Sequence, residues 1–316
     1  MDQAIVVSFI LSVMTASTPL LLAATGELVT EKSGVLNLGV EGMMLVGAIV
    51  GFATTLHTGS ALLGVVAAAL AGMAMSLIFA ILTLTFLANQ VATGLALTIF
   101  GTGLSALVGS SYVGTAVEAL PKLRVPALSD IPLIGPIVFG QDALVYISLL
   151  GIVATTWFLR RSHRGLVLRA VGDSHDAAHA IGYPVILIRY LATLFGGAMC
   201  GLAGAYMSLA YSTSWAENMT AGRGWIALAL VVFATWRPIW LLVGAYLFGG
   251  IMYGSLAIQA AGAMSIAGYQ VVVPSQFVSA LPYLATIAVL VVISRDRVKI
   301  RLNAPACLGR PFHAAG

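Results

Sequence analysis

Ala61–Leu87 reads ALLGVVAAALAGMAMSLIFAILTLTFL, an unbroken apolar run without one charged side chain. A helix needs about 20 such residues to cross about 30 Å of hydrocarbon. The run is longer than that, so it reads as a membrane span. The same scan carried outward gives Ala4–Ala24, Glu41–Leu56, Val91–Gly109, Ala143–Leu159, Ile188–Tyr211, Trp225–Trp236, Pro238–Ala260 and Phe277–Ser294. With the opening run these make nine candidate spans, and a tenth stays open. The expected fold is an all-α polytopic transmembrane helix bundle of about nine to ten spans, with re-entrant or broken segments. It occupies residues 1–294 and leaves 295–316 as a basic tail. Ala4–Ala24 lacks the basic leader and cleavage site of a signal peptide and is kept as a span.

Composition points the same way. The 316 residues include 15 Lys and Arg and 11 Asp and Glu, a charged fraction of 8%; soluble domains carry about a quarter. Apolar residues make up 60%, and the mean hydropathy is +1.02. So little polar surface excludes a soluble enzyme, a nucleic-acid reader and a disordered linker. The pI of about 9.2 comes from scattered basic residues that form no binding face. Cys200 sits in an apolar run and Cys307 in the tail, so no disulfide framework is expected.

The basic residues fix an orientation. Arg160, Arg161, Arg164, Arg169 and Arg189 form one group, and Arg295, Arg297, Lys299, Arg301 and Arg310 a second. Nine alternating spans put both groups, with Lys32 and Arg237, on one side, against Lys122, Arg124 and Arg223 on the other. The positive-inside rule makes the richer side cytoplasmic, with the N-terminus outside and the C-terminus in the cytoplasm.

Two segments resist the simple pattern. Trp225–Trp236 has 12 residues, too few to cross alone. Glu27–Gly42 (ELVTEKSGVLNLGVEG) mixes polar residues with Val, Leu and Gly. Broken backbone at membrane depth survives only inside protein or along a water-filled cavity, so one or both are expected to be re-entrant or discontinuous. Small residues recur four apart at Gly47/Gly51, Gly197/Gly201/Ala205 and Gly250/Gly254, spacing that suits close helix packing.

Catalytic chemistry is not legible. There is no G-x-x-x-x-G-K-[ST] phosphate loop, no H-E-x-x-H and no nucleophile elbow, so no catalytic residue and no metal ligand is assigned. His175 and His179 lie four apart beside Asp173 and Asp176, better read as a solvated loop than as a metal site.

Polar groups inside spans are functional candidates by default. For a translocation path they are Asn37, Glu41, Asn89, Gln90, Trp215 and Asn218, donors and acceptors with one aromatic ring, compatible with a nucleobase or a sugar. Each has a plain structural alternative. Asn37 can cap a helix and Glu41 can sit in its first turn. Asn89–Gln90 can be a hairpin turn, and Trp215 an interfacial anchor. In the loop 160–187, Gly172–Gly182 (GDSHDAAHAIG) predicts a short helix over His175–Ala180, capped by Asp173 and ended by Gly182 in a left-handed turn. It suits a docking element or an ordinary connector.

SGVLNLGVEGMMLVGA (Ser33–Ala48) resembles the signature of membrane subunits in ABC importers of the ribose and branched-chain amino-acid permease superfamily. ANQVATGLAL (Ala88–Leu97), LRAVGDSHDAAHAIG (Leu168–Gly182), GGAMCGLAGAY (Gly196–Tyr206), NMTAGRGWIALALVVF (Asn218–Phe233) and NAPACLGRPF (Asn303–Phe312) extend the likeness over nearly the whole chain. The nearest branch is the nucleoside-type permeases that work with basic-membrane-lipoprotein binding proteins. The resemblance implies a non-enzymatic permease subunit of the bacterial inner membrane, forming half of a translocation path. It implies a second permease, ATP-binding subunits that carry the ATP and Mg, and an extracytoplasmic binding protein, with membrane lipid around it and no nucleic acid. It turns Gly172, Asp173, His175, Asp176, Ala177, Ala178 and Gly182 into ATPase-coupling residues. A nucleoside is the first expected cargo, with a simple sugar or branched-chain amino acid as the alternative. A stand-alone secondary transporter is the rival from another class.

Overall fold

The computed structural model describes residues 3–123, 126, 128–129, 131, 134–261, 264–266, 269–271, 274–294 and 303–313. Arg124, Arg295, Arg297, Lys299 and Arg301 of the charge argument lie outside the described residues.

Helices dominate. They are α1 (Gln3–Lys32), α2 (Val40–Thr58), α3 (Ala61–Ala80), α4 (Gln90–Gly109), α5 (Ile134–Phe139), α6 (Ala143–Arg161) and α7 (His163–Asp173). They continue with α8 (His175–Ala180), α9 (Val185–Tyr206), α10 (Arg223–Phe233), α11 (Pro238–Ala261), α12 (Ser275–Ser279) and α13 (Leu281–Ser294). α3 and α9 each run on into a wider π turn, Ile81–Thr85 and Met207–Tyr211. Among the described residues, the exception to helix is a small antiparallel hairpin, Met264–Ile266 with Tyr269–Val271.

Among the described residues, seven helices are long and apolar enough to cross a membrane: α1, α2, α3, α4, α6, α9 and α11. Starts are marked by side chains that satisfy orphan N–H groups. Ser60 accepts from Leu63 N, Asn89 from Ala92 N, Asp142 from Leu144 and Val145 N, and Ser174 from Ala177 N. The last of these corrects the expected cap: Asp173 ends α7, and Ser174 starts α8. Gly182 does adopt the left-handed turn, at φ +91°.

The bundle has two ends. One carries Lys32, α7, α8 and the segment 303–313, and is called here the basic end. The far end carries Thr58, Tyr112 and the mouth of α9, where His57 and Tyr112 are hydrogen-bonded. α2, α3 and α9 form the packed centre. A Cβ on Gly47 would lie 2.6 Å from Gly201 Cα, and one on Gly72 only 2.1 Å from the Gly197 carbonyl oxygen. Backbone therefore touches backbone there, the contact that small residues permit. Gly250 and Gly254 do not share this role: a Cβ on Gly250 would meet nothing nearer than 3.9 Å, and one on Gly254 nothing within 4 Å.

The first span is longer than expected. α1 continues past Ala24 to Lys32, and the break within Glu27–Gly42 falls at Ser33–Gly39. Glu27 and Glu31 thus lie on a helix, buried. Phe277–Ser294 divides into α12 and α13. The 11-residue α10 is the helical half of a broken pass.

Candidate functional site

The two most distinctive sequence runs meet at one place. Glu41, in the first turn of α2, does not serve that helix. Its carboxylate reaches the start of α10, accepting from Thr220 Oγ1 at 2.5 Å, Gly222 N at 2.8 Å and Gly224 N at 2.6 Å. The local sequence makes this possible. Gly222 takes the left-handed conformation at φ +82°, and Gly224 leaves no room for a side chain, because a Cβ there would lie 2.6 Å from Glu41 Oε2. A carboxylate at a helix N-terminus meets open N–H groups and the positive end of the helix dipole. Glu41 is 4% exposed, so the exchange takes place away from water.

This junction lies deep in the bundle. Gly42 approaches Leu97 and Thr98 of α4, while Trp215 lies over Gly109 at the far end of the same helix. Those levels are about 17 Å apart at 1.5 Å per residue. Residues 215–222 cover that depth as non-helical chain, and α10 completes the pass to the basic end. Thr220 is buried there, and so is Arg223, which the charge count placed on the outer side. The Arg223 guanidinium stacks on the Tyr211 ring at 5.0 Å and donates to the Met219 and Thr220 carbonyls.

The remaining path candidates separate into supports and surface. Asn37 is buried; its Oδ1 accepts from Gly39 N at 2.9 Å, and its own N donates to Glu27 Oε1 at 3.2 Å. Gln90 is buried and accepts from Leu36 N at 2.8 Å. Trp215 is buried against Gly109. Asn89 is exposed and caps α4. Asn218 is exposed in a left-handed turn at φ +54°. Five of the six hold backbone together or pack against it.

Several residues of this region escaped the sequence reading. Glu31 Oε2 accepts from Trp236 Nε1 at 2.5 Å, tying the end of α1 to the end of α10. Glu27 braces the Asn37 turn. Their signal was an acidic pair four residues apart, hidden because the apolar count ended at Ala24. Trp225 (38% exposed) and Tyr283 (54% exposed) leave aromatic surface near the junction, and Tyr283 Oη would lie 3.3 Å from a Cβ on Gly222. Nothing in α13's sequence marked Tyr283.

At the basic end the seven coupling candidates face two ways. Gly172, His175 and Ala178 are buried, while Asp173, Asp176, Ala177 and Gly182 are exposed. A Cβ on Gly34 would lie 2.8 Å from His175 Nε2, so α8 bears on the turn that leads to Glu41. His175 and His179 both meet the Phe312 ring, at 5.8 and 5.4 Å between centroids. Burial first, and the Arg189 charge second, pull the His175 pKa from 6.5 to about 4, so this imidazole is neutral. Nor is the 303–313 segment a loose tail. Lys32 Nζ donates to the Asn303 carbonyl, Cys307 N to Gly172 O, and Gly309 N to Gly34 O. Buried Arg189 donates to both Gly34 O and Arg310 O.

Comparison with known proteins agrees with this architecture. The chain matches the family described as branched-chain amino acid transport system / permease component over residues 9–293. A putative glucose ABC transporter permease from Haloferax volcanii is 42% identical, over 94% of this chain and 95% of the relative. A guanosine ABC transporter permease from Bacillus subtilis is 31% identical, over 96% and 97%. A nucleoside ABC transporter permease from Lactococcus lactis subsp. cremoris is 30% identical, over 87% and 88%. No solved structure matches. A polytopic bundle with one interrupted pass, matched along nearly its whole length, places the chain in this family: it is a permease subunit of an ABC transporter.

Proposed function

We propose that this permease forms half of the path of an ATP-driven importer whose cargo is a neutral solute built on a sugar ring, a nucleoside first. The observation that carries the reading is the occupied start of α10. A half-helix that begins inside a transporter offers its N–H groups and positive dipole end to the anionic group of a solute. Here Glu41 takes those donors for the chain itself. An anionic cargo arriving at this depth would meet a carboxylate, whereas a neutral one would not. Trp225 and Tyr283 supply ring faces on which a base can stack.

The relatives named for guanosine and for nucleosides support that cargo. The glucose relative supports a simple sugar as the second reading, and the family description keeps a branched-chain amino acid as a third. Asn218, Trp225 and Tyr283 belong on the path, whereas Asn37, Glu41 and Gln90 hold its moving part. The positive-inside rule puts the basic end in the cytoplasm and the N-terminus outside.

ATP-binding subunits, which carry ATP and magnesium, seat on the exposed side of α8 at Asp176 and Ala177. A binding protein delivers solute to the far end, and a second permease completes the path. Closure of the ATPases pushes α8 as a rigid body. The push reaches Gly34, then the Ser33–Gly39 turn, and through Glu41 the half-helix α10, a two-state element of the kind that amplifies small shifts.

The test is uptake into proteoliposomes holding this chain with its neighbouring ATPase, permease and binding protein, using labelled guanosine, uridine, glucose and leucine. ATP-dependent nucleoside accumulation supports the reading, and glucose or leucine alone moves it to the second or third. Accumulation by this chain alone on an ion gradient rejects it.

A further inference from the structure

We infer that a groove between α6 and α9 at the basic end holds an anionic phospholipid, with one acyl chain in the groove and the phosphate against Arg164. Both helices pack on α1, and α7 contacts each of them beside the gap between. The space left is about 500 Å³, with Val29 of α1 among its lining residues. Its walls are Ala154 and Phe158 of α6, Val167 of α7, and Leu191 and Phe195 of α9. Val153, Trp157, Leu187 and Leu191 stand outward around it at 55–65% exposure, so the groove opens onto the apolar belt of the bundle.

The rim is of the opposite character. Arg164 and His163 line the groove at its α7 edge. Arg161, three residues beyond Phe158 on the same face of α6, lies beside them, and all three side chains are exposed; Arg160 lines a separate cavity with Lys32 and Arg169. Among the described residues, no carboxylate lines the space. An apolar slot that ends in a cluster of cations, at the level where spans give way to short surface helices, complements a lipid with an anionic headgroup. A neighbouring protein would have to pair these arginines as well as fill the slot; one anionic lipid does both. Among the described residues, the site shares no lining residue with α8 or with the Glu41 junction, and its readout is lipid retention rather than uptake.

The experiment is native mass spectrometry of the assembled transporter, equilibrated with equal amounts of phosphatidylglycerol and phosphatidylcholine and then stripped in steps. The intact complex should retain phosphatidylglycerol in preference. Arg161→Gln with Arg164→Gln should lower that preference by about fivefold for each arginine removed. Ala154→Trp, which fills the groove and leaves the charge, should lower retention of both lipids. Unchanged retention in both variants overturns the inference. So does an Ala154→Trp variant that keeps its lipid but separates from the second permease, because the groove is then a protein interface.

Discussion

Removing the Glu41 carboxylate should release α10 from α2, and the size of the effect follows from its contacts. Three donors converge on it, two of them backbone N–H groups of a buried helix start. A hydrogen bond to a charged group contributes about 1.5–3 kcal/mol, and a buried donor left unpaired costs about 1–3 kcal/mol. The bonds share one acceptor and do not add fully, so Glu41→Ala should cost about 4 kcal/mol. At about 2–4 °C per kcal/mol for a chain of a few hundred residues, the melting temperature falls by on the order of 10 °C. Glu41→Gln keeps one acceptor oxygen and loses the charge, so about half of that loss is expected. Gly224→Ala should resemble Glu41→Ala, because its Cβ would also lie 2.7 Å from the Glu41 Cα and N, and backbone cannot step aside. The assay is the thermal midpoint of the purified assembled transporter by fluorescence-detected gel filtration, beside uptake in proteoliposomes. A Glu41→Ala protein melting within about 2 °C of the parent refutes the clasp. So does Glu41→Gln with the parent's melting temperature and no uptake, since the carboxylate would then be acting on the solute.

Three further outcomes are expected. Arg189→Met removes the donor shared by Gly34 O and Arg310 O, so maleimide labelling of Cys307 should speed several-fold while buried Cys200 stays unlabelled; equal Cys307 rates would refute the anchoring role. His175 is held neutral, so protons bind the unfolded form first as pH falls from about 6.5 toward 4. Stability should drop through that window, and His175→Gln should flatten the slope measured by thermal shift. Amide exchange should be slow across 44–52, 68–76 and 197–205, where backbones touch, and faster across 212–222, with only the latter responding to ATP binding by the partner subunits. An equal response in all four stretches would mean that the packed centre moves as well.

What the sequence made legible was whatever one segment settles by itself. Apolar runs located the long helices, because length and lack of charge are local properties. The shortness of Trp225–Trp236 exposed a broken pass for the same reason. Residues whose roles depend on distant chain were misread. By sequence Glu41 is a first-turn residue of its own helix, but the dipole it serves belongs to α10, some 180 residues on. His175 read as solvated because its neighbours are polar; the Phe312 ring and Gly34 that bury it come from the opposite ends of the chain. Glu27 and Glu31 were passed over because a hydropathy scan stops at charge, whereas the helix continues and buries both.

The division between fixed and movable parts follows from the packing. Where Gly72 meets Gly197 and Gly47 meets Gly201, main chains are already at contact distance, so α2, α3 and α9 cannot shift without opening a void or colliding. The pass through 212–222 and α10 is different. Its upper half is non-helical chain held by isolated turn bonds such as Ala221 N to Asn218 O, and the lower half is fastened at two points, Glu41 at the start and Glu31 through Trp236 at the end. Both fastenings flank the Ser33–Gly39 turn, on which His175, Arg189 and the 303–313 segment converge. A displacement at α8 thus meets a rigid centre on one side and this turn on the other. On the proposed coupling, this turn would pass a displacement of α8 to α10 through the Glu41 carboxylate.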